Sequence, residues 1–264
     1  MTRQKLGQHF LQDAGWRGKI AATLPLATGE TWIEIGAGHG EMTQHLAGDS
    51  RRVAAIETDA WLASRLRIRG TQNPAEWQGV TIIHGDVLEL NLAELGGGAE
   101  KFRVYGNLPY YITSPILRHL FRWAERIASI HIVVQLEVAV RIAARPGRRD
   151  YGYLSVLSQF YTKPEIILRI PPGAFRPPPR VASALLRMNG PGERASLGVA
   201  DEESFLAFVR TCFGKKRKTL RNNLRDVAGD DRVRSALGAC NLRPHARAEQ
   251  LSLRQFAALF ENLR

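Results

Sequence analysis

The residues of this chain best suited to chemistry are Asn107-Leu108-Pro109-Tyr110, which follow the apolar run Phe102-Arg103-Val104-Tyr105-Gly106. A side-chain amide, a proline-restrained carbonyl and an aromatic ring in succession can present an exocyclic amine for alkylation. The N6 of adenine delocalises its lone pair into the ring and is a poor nucleophile until something holds it otherwise. The Asn107 side-chain oxygen and the Leu108 carbonyl can accept its two N–H groups and steer the lone pair toward an incoming methyl, by positioning and electrostatics. Pro109 disfavours the helical region for Leu108 and so keeps that carbonyl in extended backbone. Tyr110 offers a ring on which an extruded base can stack. A strand followed by a proline turn would account for the same four residues without chemistry, so their context has to decide.

That context is a series of strand ends. Thr31-Trp32-Ile33-Glu34-Ile35 reads as a short strand that runs into Gly36-Ala37-Gly38-His39-Gly40 and then a helix-like stretch from Glu41 to Leu46. Glycines there let the backbone turn sharply and approach a ligand. A second strand, 52–56, ends at Glu57, 21 residues beyond Gly36, close to the ~20 expected for an acid that binds ribose hydroxyls. A third, 80–84, ends in Gly85-Asp86. Ligands of open α/β sheets bind at such carboxyl ends. Asp86 on an adenine amino group, Glu57 on its ribose and the Gly36–Gly38 turn beside an amino-acid moiety describe S-adenosylmethionine. A dinucleotide fits less well, because glycines at 36, 38 and 40 depart from G-x-G-x-x-G. Each carboxylate alone is more often a cap or a solvated side chain. Three such ends in order, with a fourth strand delivering Asn107, point to a methyltransferase.

Four stretches then carry a family resemblance: Gln4-Lys5-Leu6-Gly7-Gln8-His9-Phe10-Leu11, Glu34-Ile35-Gly36-Ala37-Gly38, Gly106-Asn107-Leu108-Pro109-Tyr110 and Phe175-Arg176-Pro177-Pro178-Pro179-Arg180-Val181. Over nearly its whole length the chain resembles the KsgA-type small-subunit ribosomal RNA adenine N6,N6-dimethyltransferases. The resemblance implies an α/β, class I (Rossmann-like) S-adenosylmethionine-dependent methyltransferase domain with a mostly parallel seven-stranded sheet, and a small all-α domain after it. It implies four methyl transfers to two adjacent adenines in the terminal hairpin loop of small-subunit rRNA, within an assembling small subunit, by a monomer that needs no metal. Its cofactor contacts carry over to His9, Leu11, Gly36, Glu57, Asp86 and Asn107. Position 9 is often Asn in the family, which leaves the role of His9 open. Phe175 is implied to lie opposite Tyr110, sandwiching the target base; an apolar plug under a Pro-rich loop is the alternative. Residues 1–15 are implied to be a mobile segment that closes over cofactor and RNA, where a frayed terminus is the bland reading.

The elements that must position these residues are legible in outline. Strand-like runs at 165–170 and 181–186 flank a loop that five prolines and Gly173 restrain, which suggests an antiparallel hairpin at one edge of the sheet. A boundary falls at Asn189-Gly190-Pro191-Gly192-Glu193, giving domains 1–189 and 190–264. Beyond it, Phe205, Phe208, Val209, Cys212, Phe213, Leu220, Leu224 and Val227 recur at roughly helical spacing. Seven basic residues, Arg210, Lys215, Lys216, Arg217, Lys218, Arg221 and Arg225, occur there without an acidic one. Lys218, Arg221 and Arg225 are spaced to share one helix face and contact RNA phosphates; a merely solvated face is the usual reading of such a run.

Composition agrees. A net charge of +12 over 264 residues favours a polyanionic partner. Cys212 and Cys240 form neither a disulfide framework nor a metal-spaced cluster. No apolar leader or membrane-length run is present, so the cytoplasm is the expected compartment. Rival readings are an Erm-type large-subunit rRNA adenine methyltransferase, which typically has Ile where this chain has Leu108, and an assembly or transcription factor that kept the fold and lost catalysis. A nicotinamide-dependent reductase is more distant.

Overall fold

Short aliphatic runs that each end at a glycine or a carboxylate alternate with helices through the first half of the chain and form a sheet. The computed structural model describes residues 9–48, 51–109, 112–215 and 217–264. Its strands are β1 (Phe10–Leu11), β2 (Thr31–Ile35), β3 (Arg52–Glu57), β4 (Val80–His84), β5 (Phe102–Asn107), β6 (Ile127–Gln135), β7 (Lys163–Ile170), β8 (Phe175–Arg176) and β9 (Ser183–Asn189). Seven of them make one sheet in the order β4-β3-β2-β5-β6-β9-β7. From β4 to β6 neighbours are parallel, and β9 runs antiparallel to β6. Every residue of β2 is buried, as expected of a central parallel strand covered on both faces, which reads as a continuous apolar run instead of an alternating one. The chain order reverses between β2 and β5. That is the switch point at which open α/β sheets leave a crevice.

Helices α1 (Ala14–Ala21), α2 (Thr43–Leu46), α3 (Ala60–Gln72), α4 (Leu92–Leu95), α5 (Thr113–Phe121) and α6 (Leu136–Ala143) accompany the sheet. Asp13 and Asp59 cap α1 and α3 by accepting backbone N–H groups of their first turns, which satisfies donors a helix start leaves open. The remaining helices are α7 (Tyr153–Tyr161), α8 (Arg194–Leu197), α9 (Glu202–Cys212), α10 (Leu220–Ala228), α11 (Asp230–Ala239) and α12 (Leu253–Leu263).

The chain divides into two compact units. One runs to Ala139 and resumes over Glu165–Gly190; the other comprises Val140–Pro164 and Pro191–Arg264. The expected break near 190 is therefore present, but the expected division 1–189 and 190–264 misplaces residues 140–164. Tyr151, Val156 and Phe160 share a core with Phe205, Val209 and Phe256 of the helical unit. Helical periodicity shows that α7 has an apolar face and is silent about which core receives it. Part of the segment 1–15 lies in regular structure. Phe10 and Leu11 pair antiparallel with Arg176 and Phe175, and α1 starts at Ala14. Residues 1–8, including Gln4 to Gln8, lie outside the described residues.

Candidate active site

The glycine turn after β2 is held by the end of β3. Gly36 and Gly38 have φ of +73° and +59°, in the left-handed region that side chains rarely adopt. The Gly36 and Ala37 N–H groups both donate to the Ile56 carbonyl, at 2.9 and 3.0 Å. One step further, Glu57 accepts from the Gly38 N–H through Oε2 (2.8 Å) and from the Asp59 N–H through Oε1 (3.0 Å). Glu57 is thus a buried clasp between two strand ends. Each of its oxygens retains a further acceptor site.

Beside this turn lies a cavity of about 30 Å³, bordered by Leu11, Glu34, Gly36, Gly38, Tyr105 and Asn107 among others. It is about the room one water takes. The Phe10 ring fills the neighbouring space: a side chain at Gly38 would meet it at 3.2 Å, and its centroid lies 4.6 Å from that of His39. Asp86 stands apart, exposed after β4, with Oδ1 accepting from the Leu88 N–H at 2.9 Å.

Asn107 ends β5. Its Nδ2 donates one hydrogen to the His9 carbonyl at 2.9 Å, so the nitrogen faces the N-terminal strand and Oδ1 is left to accept. The Leu108 N–H donates to Val133 O (3.0 Å) and its side chain is buried. Pro109 follows, its carbonyl accepting from the Ile112 N–H. Tyr110 lies outside the described residues. His9 is half-buried, and its Nδ1 lies 2.7 Å from the Pro177 carbonyl.

Phe175 does not stand where a base could stack on it. It is 0% exposed and packs in a core with Leu11, Ile20, Trp32, Ala174 and Leu185. The reason is β8, whose two residues face opposite ways: Arg176 is exposed and Phe175 turns inward. The stacking role is corrected to the apolar plug.

Glu34 is the site residue that sequence reasoning missed. It is 2% exposed and accepts from Thr43 Oγ1 at 2.5 Å. Burial pushes its carboxyl up to about 8, and the carboxylates of Glu41 and Glu57 add to the effect. Its surroundings therefore favour the neutral acid. Nearby, the Tyr105 hydroxyl is buried with no partner among the described residues. One carboxylate within the otherwise apolar Trp32–Ile35 run was the available signal, since buried acids are rare unless something compensates them.

The family model for ribosomal RNA adenine dimethylase matches residues 1–264. The chain belongs to the ribosomal RNA adenine dimethylase family. It is 42% identical to the ribosomal RNA small subunit methyltransferase A of Koribacter versatilis, over 99% of this chain and 94% of that protein. It is 44% identical to the protein of the same name from Acidobacterium capsulatum, over 99% and 91%. Among solved structures, the 23S rRNA methyltransferase ErmE superposes with a TM-score of 0.71 at 27% identity, covering 96% of this chain and 99% of that one. A dimethyladenosine transferase from Plasmodium falciparum gives 0.76 at 22% identity, over 95% and 96%. The fold is that of a methyltransferase, and the protein is an enzyme of that class.

In this dimethylase the basic run is not one helix face. Lys218 precedes the α10 cap Thr219, in a turn where its N–H donates to the Lys215 carbonyl. Arg221 makes a two-pronged pair with Asp230 (2.7 and 2.5 Å), and Arg225 lies 3.5 Å from Asp226. The 3,4 spacing assumed a helix that begins two residues too early. Arg210, Lys215, Arg217 and Lys218 are exposed; Lys216 lies outside the described residues. Among the described residues no group of His, Cys, Asp or Glu could hold a metal ion, and no helix is long and apolar enough to cross a membrane.

Proposed function

We propose that this enzyme dimethylates N6 of two adjacent adenines in the terminal hairpin loop of small-subunit rRNA, in the cytoplasm, on an assembling small subunit, with S-adenosylmethionine as donor. The observation that carries the reading is the Asn107 amide at the switch point, its nitrogen tied back to His9 and its oxygen left as acceptor beside the glycine turn. The residues present suit the cofactor. The Gly36–Gly38 turn would lie against its amino-acid part, Glu57 would take the ribose hydroxyls and Asp86 the adenine amine, with Leu11 covering it from the N-terminal strand. When bound, the cofactor supplies an electrophilic methyl on a sulfonium.

What the chain does is hold the nucleophile. Asn107 Oδ1 and the Leu108 carbonyl accept the two N6–H bonds and fix the amine in line for attack, which lowers the barrier by alignment and by stabilising developing positive charge on nitrogen. Nitrogen sheds its proton to water after the bond forms, so no general base is required. After the first transfer one N–H remains, and a methyl must occupy the direction the other had taken.

The small-subunit assignment over an Erm-type one rests on the relatives named small subunit methyltransferase A at 42% and 44% identity, against 27% for ErmE. The test is to incubate the protein with labelled S-adenosylmethionine and either unmethylated small-subunit particles or protein-free large-subunit RNA, then map dimethyladenosine by mass spectrometry. Label on two adjacent adenines of the small-subunit hairpin is expected. Label confined to large-subunit RNA would overturn the assignment.

A further inference from the structure

We propose that His9 is a positioning residue: its imidazole pins the N-terminal strand to the Pro177 carbonyl, so that its own main-chain carbonyl selects the orientation in which Asn107 can accept the base amine. The inference rests on the adenine reading above and adds a device to it.

A side-chain amide has two nearly isosteric ends with opposite hydrogen-bonding character. With its oxygen toward the base, Asn107 accepts an N6–H; turned over, it sets donor against donor and repels the amine. Something must choose. The His9 carbonyl can only accept, and it lies 2.9 Å from the Asn107 nitrogen. The bond therefore forms in one orientation alone, the one that leaves Oδ1 to the base.

The His9 carbonyl must in turn be held. β1 is two residues long and begins only at Phe10. Downstream it is well anchored: the Gln12 and Asp13 N–H groups both donate to the Ala174 carbonyl, at 3.1 and 3.2 Å. Upstream of Phe10, the contact of His9 Nδ1 with Pro177 O, 2.7 Å, extends the tie between the N-terminal strand and the β8 segment by one residue. A carbonyl acceptor requires a hydrogen on Nδ1, so the ring donates there. An asparagine side chain would also place an N–H at its δ position and so keep the donor.

The experiment compares wild type with His9→Ala, His9→Asn and His9→Asp in single-turnover methylation of small-subunit particles, with cofactor affinity and Tm measured alongside. His9→Ala is expected to lower the transfer rate by about 10-fold or more, as misplacement of a reacting group does, with cofactor affinity within about 2-fold and Tm little changed. His9→Asn should recover most of the rate, and His9→Asp, which has only acceptors when ionised, should behave like His9→Ala. In an Asn107→Ala background, His9→Ala should add little, because the two act on one hydrogen bond. Wild-type rates in His9→Ala, no advantage of Asn over Ala, or a rate loss matched by lost cofactor affinity would each overturn the proposal. A wild type inactive on both RNAs would instead overturn the function proposed above, and this inference with it.

Discussion

An amide at a strand end controls a reacting nitrogen only as firmly as it is itself controlled, and Asn107 is held from behind by a main-chain carbonyl. Replacing it by Ala should lower methyl transfer by about 10²–10³, the usual cost of removing one preorganised hydrogen-bonding group, while cofactor affinity stays within a few-fold. Single-turnover kinetics and calorimetry separate the two; equal losses in both would remove Asn107 from the transfer step. Glu34 makes a second prediction at this scale. Its folded value of about 8 lies above the 4.5 of the unfolded chain, so its contribution to stability is complete below pH 4.5 and is lost as pH rises through 8. At 1.36 kcal/mol per pH unit the loss is of order 5 kcal/mol. The urea midpoint of the wild type should fall between pH 6.5 and 8, and that of Glu34→Gln should not. The glycines, Glu57 and Asn107 were legible because each marks a strand end, where sequence and backbone geometry are tightly linked. Phe175 and Glu34 were not, since which way a side chain faces depends on pairing partners far away in the chain.

Among the elements, the longer parallel strands announced themselves as largely apolar runs, whereas β1 and β8 are two residues each and have no period to detect. What determines them is their mutual pairing across the sequence from Leu11 to Phe175. The basic run misled for a different reason: spacing was right, but α10 starts after Thr219, and the acids that pair with Arg221 and Arg225 come after the run. RNA contact is accordingly expected from the turn. Gln at Lys215, Lys216, Arg217 and Lys218 together should weaken particle binding and flatten its salt dependence by roughly one unit of slope for each phosphate no longer neutralised. Arg221→Gln alone should change the slope less, its charge being already matched by Asp230. Binding measured at several salt concentrations decides; an unchanged slope in the fourfold variant would leave the turn as solvated surface.

For the molecule as a whole, charge and strand succession were enough to anticipate a polyanion-binding methyltransferase with an antiparallel edge, and the two late strands do close one end of the sheet, β9 antiparallel to β6 and β7 outside it. The sheet carries a further consequence in β6. His131 is buried there, its Nε2 3.0 Å from Ser129 Oγ and its ring 5.8 Å from Trp32. Burial, with Arg103 and Arg187 nearby, brings it down to about 4 from 6.5. Because the folded value is the lower one, stability is complete above pH 6.5 and falls as pH drops toward 4, by about 3 kcal/mol. Between pH 4.5 and 6.5 this slope opposes that of Glu34, so the urea midpoint of His131→Leu should fall as pH rises through this window, where the wild type stays level; a level profile in the variant would show that other groups govern it.

The discontinuity of the helical unit bears on how the chain is made. Helix α7 leaves the ribosome before β7 and β9, yet Phe160 shares its core with Phe256, almost a hundred residues later. At translation rates of about 5–20 residues per second, that partner arrives roughly 5–20 s afterwards. The sheet can be finished first, and until α9 follows the apolar side of α7 has none of its eventual companions from α9 to α12. Nascent chains stalled just beyond residue 190 would carry that face bare.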